Sequence, residues 1–366
     1  STRNRATIGG GIGNNSCGAH SLRHGKTSDQ LISVTVVLND GSIIHTKNVS
    51  GSELEGKLDG DARESELYRS IREIAQSRQA EIEAYFPKIP RRVSGYNLDT
   101  VLTYDDSRGE SMDIGQMIVG SEGTLGIVTE ATIKLAPLAA KTGIIALHFE
   151  SIEDACRAAP IAVTHDPAAV ELVDRTIIER CRESFSYKSL VEFVIGTPGG
   201  LLLVEVDGET EPEVIEKLDA LAKDFRSRGL TQDMVITTNS GEQARMWRMR
   251  EAGLGLLMSV RGDAKPVAFV EDGAVKPELL GDYVARFEEI VQRYGLPTAY
   301  YGHAGAGCLH IRPMINLKEL NGPENAEVLA QEIADLILEF GGSLSGEHGD
   351  GIVRGAFTER MFGPAL

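Results

Sequence analysis

The order of apolar and polar positions changes character near Pro137. Before it, Leu31 to Leu38 (LISVTVVL) alternates in β-branched residues and ends in the turn Asn39-Asp40-Gly41 ahead of Ser42 to Thr46, which predicts a hairpin. Between Glu64 and Phe86, the residues Leu67, Ile71, Ile74, Ile82 and Tyr85 recur at helical spacing until Pro87, so one amphipathic helix is expected. From Met117 to Leu135 the pattern reads as strand, glycine turn, strand, with Pro137 ending the second. The domain boundary is placed there, giving units 1–137 and 138–366.

Beyond Pro137, strands and helices alternate. The pattern predicts a strand at 144–149, a helix at 152–164 and a strand at 169–173, then a strand at 201–206, a helix at 211–228 and a strand at 234–238. Two successive β-α-β units suggest a ferredoxin-like antiparallel sheet with helices on one face, and an α+β class for the chain. Ser240 with Gln243 resembles a capping box that opens a helix carrying Trp247, Arg248 and Arg250. A strand at 267–270, a helix at 277–294, strands at 299–301 and 309–314 and a final helix at 324–340 complete the expectation.

Charge and composition then narrow the partners. The 366 residues hold 37 Lys+Arg against 54 Asp+Glu, a net charge of −17. An acidic surface repels phosphodiester backbones and anionic headgroups, so neither nucleic acid nor a membrane surface is expected as a partner. No apolar run is long enough to span a bilayer. Cys17, Cys156, Cys181 and Cys308 form no C-x-x-C pair, which reads as reduced thiols in a cytoplasmic protein. Glycine, at 40 residues, exceeds the usual level of about 7% without any period, as in a chain that lays its backbone against a large ligand.

Candidate chemistry concentrates in two segments. GHAGAGCLH sets His303 and His310 on the two arms of a glycine turn, and SGEHGDG sets Glu347 beside His348. Two imidazoles and a carboxylate could hold a cation with positions open for substrate, leaving His348 as a base. Spacing alone equally allows rings that merely end strands and bond nearby carbonyls. The glycine clusters IGGGIGNN and GSEGTLG suggest a backbone that cradles phosphate oxygens. A dinucleotide fingerprint fails, because Gly9-x-Gly11-x-x leads to Asn14 with no strand before it, and a GxxxxGK[ST] loop is absent. Arg250, in MWRMREAG, could clamp a carboxylate in a fork, although an ordinary solvated helix arginine fits the composition better. Trp247 reads as packing.

These segments resemble the FAD-linked oxidases of the vanillyl-alcohol oxidase superfamily, in the D-lactate, glycolate and D-2-hydroxyglutarate dehydrogenase group. The resemblance rests on 6–29 (ATIGGGIGNNSCGAHSLRHGKTSD), 118–137 (IVGSEGTLGIVTEATIKLAP), EDGAVKP, GHAGAGCLH and GEHGDG. It implies noncovalent FAD in the first unit and a cap over the flavin in the second. It further implies divalent-metal ligands at His303, His310 and Glu347, a general base at His348, a carboxylate-binding Arg250, and flavin-lining main chain at Gly10, Gly13, Asn14, Gly18, Glu122, Gly126 and Ile127. A small 2-hydroxy acid would be the substrate and a separate carrier the electron acceptor. The family writes GHxGDGNLH, whereas Ala306 and Cys308 stand here, closer to a branch in which an iron–sulfur module follows the flavin domains. The family's first FAD subdomain should precede Ser1 and a further segment should follow Leu366, so the chain is expected to be a piece of something longer. Two rival expectations are a metal-dependent hydrolase on the same residues and a non-catalytic electron-transfer subunit.

Overall fold

The computed structural model describes residues 5–107, 109–231 and 233–366. The expected hairpin forms, with β1 (Leu31–Val37) antiparallel to β2 (Ile43–Lys47). Next along the chain come β3 (Val49–Ser50), β4 (Leu102–Asp105) and β5 (Gly109–Met112), a small sheet ordered β3-β5-β4. The strand β6 (Ile127–Ile133) joins the free side of β1, giving β2-β1-β6. Val34, Val36 and Ile44 bury one face of that sheet in a cluster with Tyr68 and Met112.

Two expectations for this half need correction. The segment after Glu64 is two helices, Arg63–Ser77 and Gln79–Tyr85, broken at Arg78. Their apolar residues serve different cores: Tyr68 and Ala75 pack on the β1 sheet, whereas Ile82 and Phe86 join the core of the second half, which one straight helix could not do. The strand expected from Met117 is a short helix, Gly115–Ile118, whose first N–H is taken by Asp113 Oδ1 at 2.9 Å. A short apolar run carries no period that separates the two states. The glycine run folds as a helix, Ile8–Asn14: Thr7 Oγ1 accepts the Gly10 N–H at its start and Asn15, at φ 55°, ends it.

The second half is one seven-stranded antiparallel sheet. Its strands are β7 (Lys141–Phe149), β8 (Ala169–Asp174), β9 (Gly200–Gly208), β10 (Met234–Thr237), β11 (Lys265–Pro266), β12 (Thr298–His303) and β13 (Cys308–Ile315). They lie in the order β10-β7-β9-β8-β12-β13-β11. Helices cover both faces, not one. Ile145, Leu147 and Phe149 of β7 pack under Ile152–Val163, Glu211–Ser227 and Leu280–Arg293, while Ile144 and Ala146 pack on the opposite face with residues of Arg175–Glu183 and Ser240–Met258. The near-continuous apolar runs of β7 and β9 are what strands covered on both faces show. The strand expected at 267–270 shrinks to β11, because the chain bends after Pro266 and fills the core with Val270 from an irregular segment. The helix at 240 is capped by Asn239, whose Oδ1 accepts from Gly241 and Glu242, and not by Ser240.

Both halves are stitched at one end of the sheet. Arg23 bonds Asp166 and Asp207, and His20 bonds Glu205 on β9 at 2.7 Å. The last segment returns to the first half, where Val93 N–H meets Ser345 O at 3.1 Å and Phe362 packs on Phe86. Among the described residues no helix is long and apolar enough to cross a membrane.

Candidate active site

One face of the large sheet is split between packing and chemistry. Toward β7 and β9 it carries Ile144, Ala146, Leu201 and Leu203 under helical cover. Toward β8, β12 and β13 the same face carries Glu171, Tyr301, His303, His310 and Arg312. Tyr301 sits directly opposite His310 in register, and the two-residue alternation adds His303 and Arg312 to that side. The hairpin between β12 and β13 turns through Ala304–Ala306 and Gly307, which holds φ 70°; a Cβ there would lie 2.0 Å from the Val275 carbonyl oxygen. Only glycine lets the two arms close this tightly, and the rings of His303 and His310 meet edge to face at 5.3 Å.

Glu347 arrives from the irregular segment after the last long helix. Its Oε2 lies 2.7 Å from His303 Nε2 and 3.5 Å from His310 Nε2. Burial alone would raise its pKa, but the His303 bond and the charges of His303, His310 and Arg91 hold the carboxyl well below the usual range. Burial pushes the His310 imidazole in its own favoured direction, far toward the neutral form, with Glu347 opposing. The donor atoms of His303, His310 and Glu347 lie within 4.8 Å of one another, and His310 Nδ1 is buried without a hydrogen-bond partner. Two imidazole nitrogens and one ionised carboxylate fit a divalent cation with open positions.

His348 stacks on His310 at 4.9 Å with planes 14° apart. Its Nδ1 meets Glu271 Oε1 at 3.1 Å, and Asp272 Oδ2 accepts its backbone N–H at 2.7 Å. Burial opposes its charged form, but Glu271, Asp272 and Glu347 outweigh that and raise its pKa above the ordinary value. Asp272, His310 and His348 form a second, overlapping donor set.

Arg250 is no free surface cation. Its Nε donates to Glu171 Oε2 at 2.7 Å and its guanidinium lies 5.0 Å above the Tyr301 ring. Glu171 takes His303 Nδ1 on its other oxygen at 2.6 Å, so this fully buried carboxylate orients a candidate ligand and a candidate clamp together. Sequence reasoning missed Glu171, Glu271, Asp272, Arg91 and Arg312. A lone acid inside the apolar strand AVELVD was a visible signal for Glu171. Arg91, only 1% exposed, offered none; it joins the Gly18 carbonyl and Ser21 Oγ to Glu347, 3.3 Å away.

The expected flavin positions divide. Asn14 Nδ2 donates to the Glu347 carbonyl, Glu122 accepts the Gly351 N–H, and Glu122 N–H reaches the Gly13 carbonyl, so Gly13, Asn14 and Glu122 gather beside the His and Glu segment. Gly18 faces open space, as does nothing of Gly126, whose Cβ would strike Val36. Gly10 stands near the start of its helix and Ile127 opens β6 with 70% exposure. A cleft of about 610 Å³ runs past Gly95, Tyr96, Gly120, Glu122 and Asp350. The cleft's glycines are themselves close to other groups, since a Cβ on Gly95 would meet Phe362 at 2.7 Å, so its fit to a large planar cofactor rests on its volume and open mouth. Cys308, in the place where the resembling family writes Asn, is fully buried against Asp272, and burial keeps it a thiol. Cys17, likewise, is pushed up to about 12.

Comparison with known proteins follows this geometry. Residues 139–366 match the model for FAD linked oxidases, C-terminal domain, and residues 1–47 match an FAD binding domain. The chain is 33% identical over 375 residues to D-2-hydroxyglutarate dehydrogenase of Pseudomonas putida, covering 100% of this chain and 37% of that protein. It is 28% identical to glycolate oxidase subunit GlcD of Bacillus subtilis, covering 97% and 62%, and 27% identical to D-lactate dehydrogenase of Archaeoglobus fulgidus, covering 98% and 64%. It therefore spans little more than a third of the D-2-hydroxyglutarate dehydrogenases it matches. Among solved structures, p-cresol methylhydroxylase with substrate bound superposes with TM-score 0.55 at 13% identity over 92% of this chain and 60% of that one. Alkyldihydroxyacetonephosphate synthase does so with 0.51 at 16% identity, over 98% and 56%. At such identities the likeness concerns the fold alone.

Proposed function

The chain belongs to the FAD-linked oxidases, and from that premise we propose that it carries the substrate site of a flavin-dependent dehydrogenase that oxidises D-2-hydroxy acids to 2-oxo acids. The observation that carries this reading is the meeting of His303, His310 and Glu347 beside a stacked His348, with Arg250 held over the same patch. FAD, when bound, supplies the hydride acceptor, and a divalent cation on His303, His310 and Glu347 supplies a Lewis acid that acidifies the substrate hydroxyl.

The chain's own residues account for the rest. Glu271, by accepting from His348 Nδ1, leaves Nε2 of that ring without a proton and free to receive the one the hydroxyl gives up. Glu171 does the same for His303, accepting from Nδ1 so that Nε2, which faces Glu347, could give its lone pair to a cation held between the two. Arg250 spends Nε on Glu171 and keeps both terminal nitrogens for a carboxylate, which fixes the face that the substrate Cα presents. Burial of Arg91, His303 and His310 keeps water from competing for these groups. The test uses the full-length protein. Anaerobic addition of a panel of D-2-hydroxy acids should bleach the flavin absorbance, and His348→Ala should abolish bleaching while FAD stays bound. Bleaching by the variant at the wild-type rate would remove His348 from this role.

A further inference from the structure

Two acids on one face of the large sheet hold one helix at two points. Glu205 of β9 and Glu171 of β8 lie diagonally across the strand pair, Glu205 opposite Ala169 and Glu171 opposite Leu203. From that face Glu171 accepts from Arg250 Nε, and Glu205 Oε2 accepts the Trp247 indole N–H at 2.7 Å. Trp247 and Arg250 stand three residues apart on Ser240–Met258, so the two bonds fix neighbouring points on one side of that helix.

The second point is shared with the other half of the chain. His20 Nε2 meets the remaining oxygen of Glu205 at 2.7 Å, and its ring lies 5.3 Å from the indole. The Glu205 side chain is 10% exposed and that of His20 45%. A carboxylate so placed is costly with neutral donors alone, and of its two side-chain partners only the imidazole can bring a positive charge. The groups that face this imidazole are Glu205 and Asp207 from β9, Glu171 from β8 and the neutral indole from the helix, while Arg23 of its own segment is engaged by Asp166 and Asp207. The bond to Glu205 raises the His20 pKa above its ordinary value; burial opposes this, and the charges of Glu205, Glu171 and Asp207 add to it. Such a bond is complete at low pH and weakens as pH rises through the raised value, because a neutral imidazole loses the charge-assisted part.

We infer that His20 is a positioning residue for the substrate clamp: through it the flavin-side half holds Glu205, Glu205 holds the Trp247 indole, and the helix thereby presents Arg250 to a carboxylate. This rests on the reading of Arg250 given above. Among the described residues His20 makes no hydrogen bond to Arg250, His348 or the three candidate ligands. Its loss should therefore loosen carboxylate binding and leave proton and hydride transfer nearly as they were.

The test uses the full-length flavoprotein grown with 5-fluorotryptophan, its Trp247 fluorine resonance assigned by loss in Trp247→Phe. In the wild type that resonance should shift in one step between about pH 6 and 9, and in His20→Gln, which keeps a donor without the charge, it should stay fixed. With the D-2-hydroxy acid that bleaches the wild-type flavin fastest, His20→Gln should raise KM about fivefold near pH 6 and change kcat by less than about twofold. The gap should close near pH 9, where the wild type has lost the same charge, and His20→Arg should keep the low-pH KM throughout. A wild-type KM in His20→Gln would overturn the inference. So would kcat falling as far as KM rises, or a gap that does not change with pH, since either makes His20 merely structural. A resonance that ignores both pH and the His20 variants would overturn it too. If His20→Gln fails to fold, the wild-type titration decides, and without a step in the Trp247 resonance the inference fails. A wild type bleached by no acid of the panel defeats the 2-hydroxy acid reading, and the resonance alone then decides whether His20 sets the helix.

Discussion

Glu171→Gln isolates the carboxylate that sets the site. The wild-type side chain has no exposure and splits its oxygens between His303 Nδ1 at 2.6 Å and Arg250 Nε at 2.7 Å. Burial alone would raise its pKa, but His303 and Arg250 hold it below the ordinary value, so it acts as an anion that accepts twice. Glutamine keeps the shape but offers one acceptor and one amide donor. If its oxygen serves Arg250, its NH₂ faces His303 Nδ1 and turns that nitrogen into an acceptor, which moves the imidazole proton to Nε2, the atom that should ligate. Loss of such an orienting partner costs about 10–100-fold in metal affinity. Exchanging one of two charge-assisted bonds should cost about 2–3 kcal/mol of stability, a melting shift of several degrees at about 2 °C per kcal/mol for a large chain. Mn²⁺ titration of the purified variant, with a thermal melt in parallel, measures both. Wild-type metal affinity in a variant that melts lower would show that Glu171 only packs the sheet; unchanged values of both would refute the network altogether.

Two further outcomes test the scaffold. Asp174 lies buried where β8 meets the following helix; burial raises its pKa to about 6, against the N–H bonds it accepts from Ile177 and Tyr300. A carboxyl raised in the folded state contributes stability that is complete below its unfolded pKa and is lost as pH rises through about 6. The stability of Asp174→Asn relative to wild type should therefore improve by up to about 3 kcal/mol between pH 4 and 7, and a difference flat with pH in urea titrations would contradict this. Gly307→Ala should cost roughly 3 kcal/mol or more, since its Cβ would meet the Val275 carbonyl, whereas Gly255→Ala, with open space inside its helix, should gain about 0.5–1 kcal/mol. Equal melting temperatures for the two variants would undo the account of the hairpin.

What could be read from the chain follows from how far each signal reaches. The β1–β2 hairpin was legible because an alternating run and an Asn-Asp-Gly turn are local. So were the helices after Ser151 and Thr210, whose side chains cap them. His303 and His310 were legible as neighbours because one glycine turn joins them. Glu347 was legible as one possibility among others, since 37 positions separate it from His310 and no period links the two, and resemblance was what favoured it. Cover on both faces of the sheet was signalled by the near-continuous apolar runs of β7 and β9, but the order of strands and helices alone does not say which helix takes which face. The break at Arg78 was hidden for a related reason: the helical spacing continues across it while the partner core changes. Arg91 and Arg312 were hidden because an arginine's burial depends on partners contributed by distant segments.

Charge bookkeeping over the site links these observations. Glu171, Glu271, Asp272 and Glu347 stand against Arg91, Arg250, Arg312 and Arg354, so with neutral imidazoles the side-chain charges cancel. A divalent cation adds two positive charges to this partly desolvated patch. Because uncompensated charge is expensive where water is excluded, a cation held there would be offset best by an anionic ligand, so cation and anion binding to this patch should strengthen one another, and a titration in which neither affects the other's affinity would contradict the charge balance.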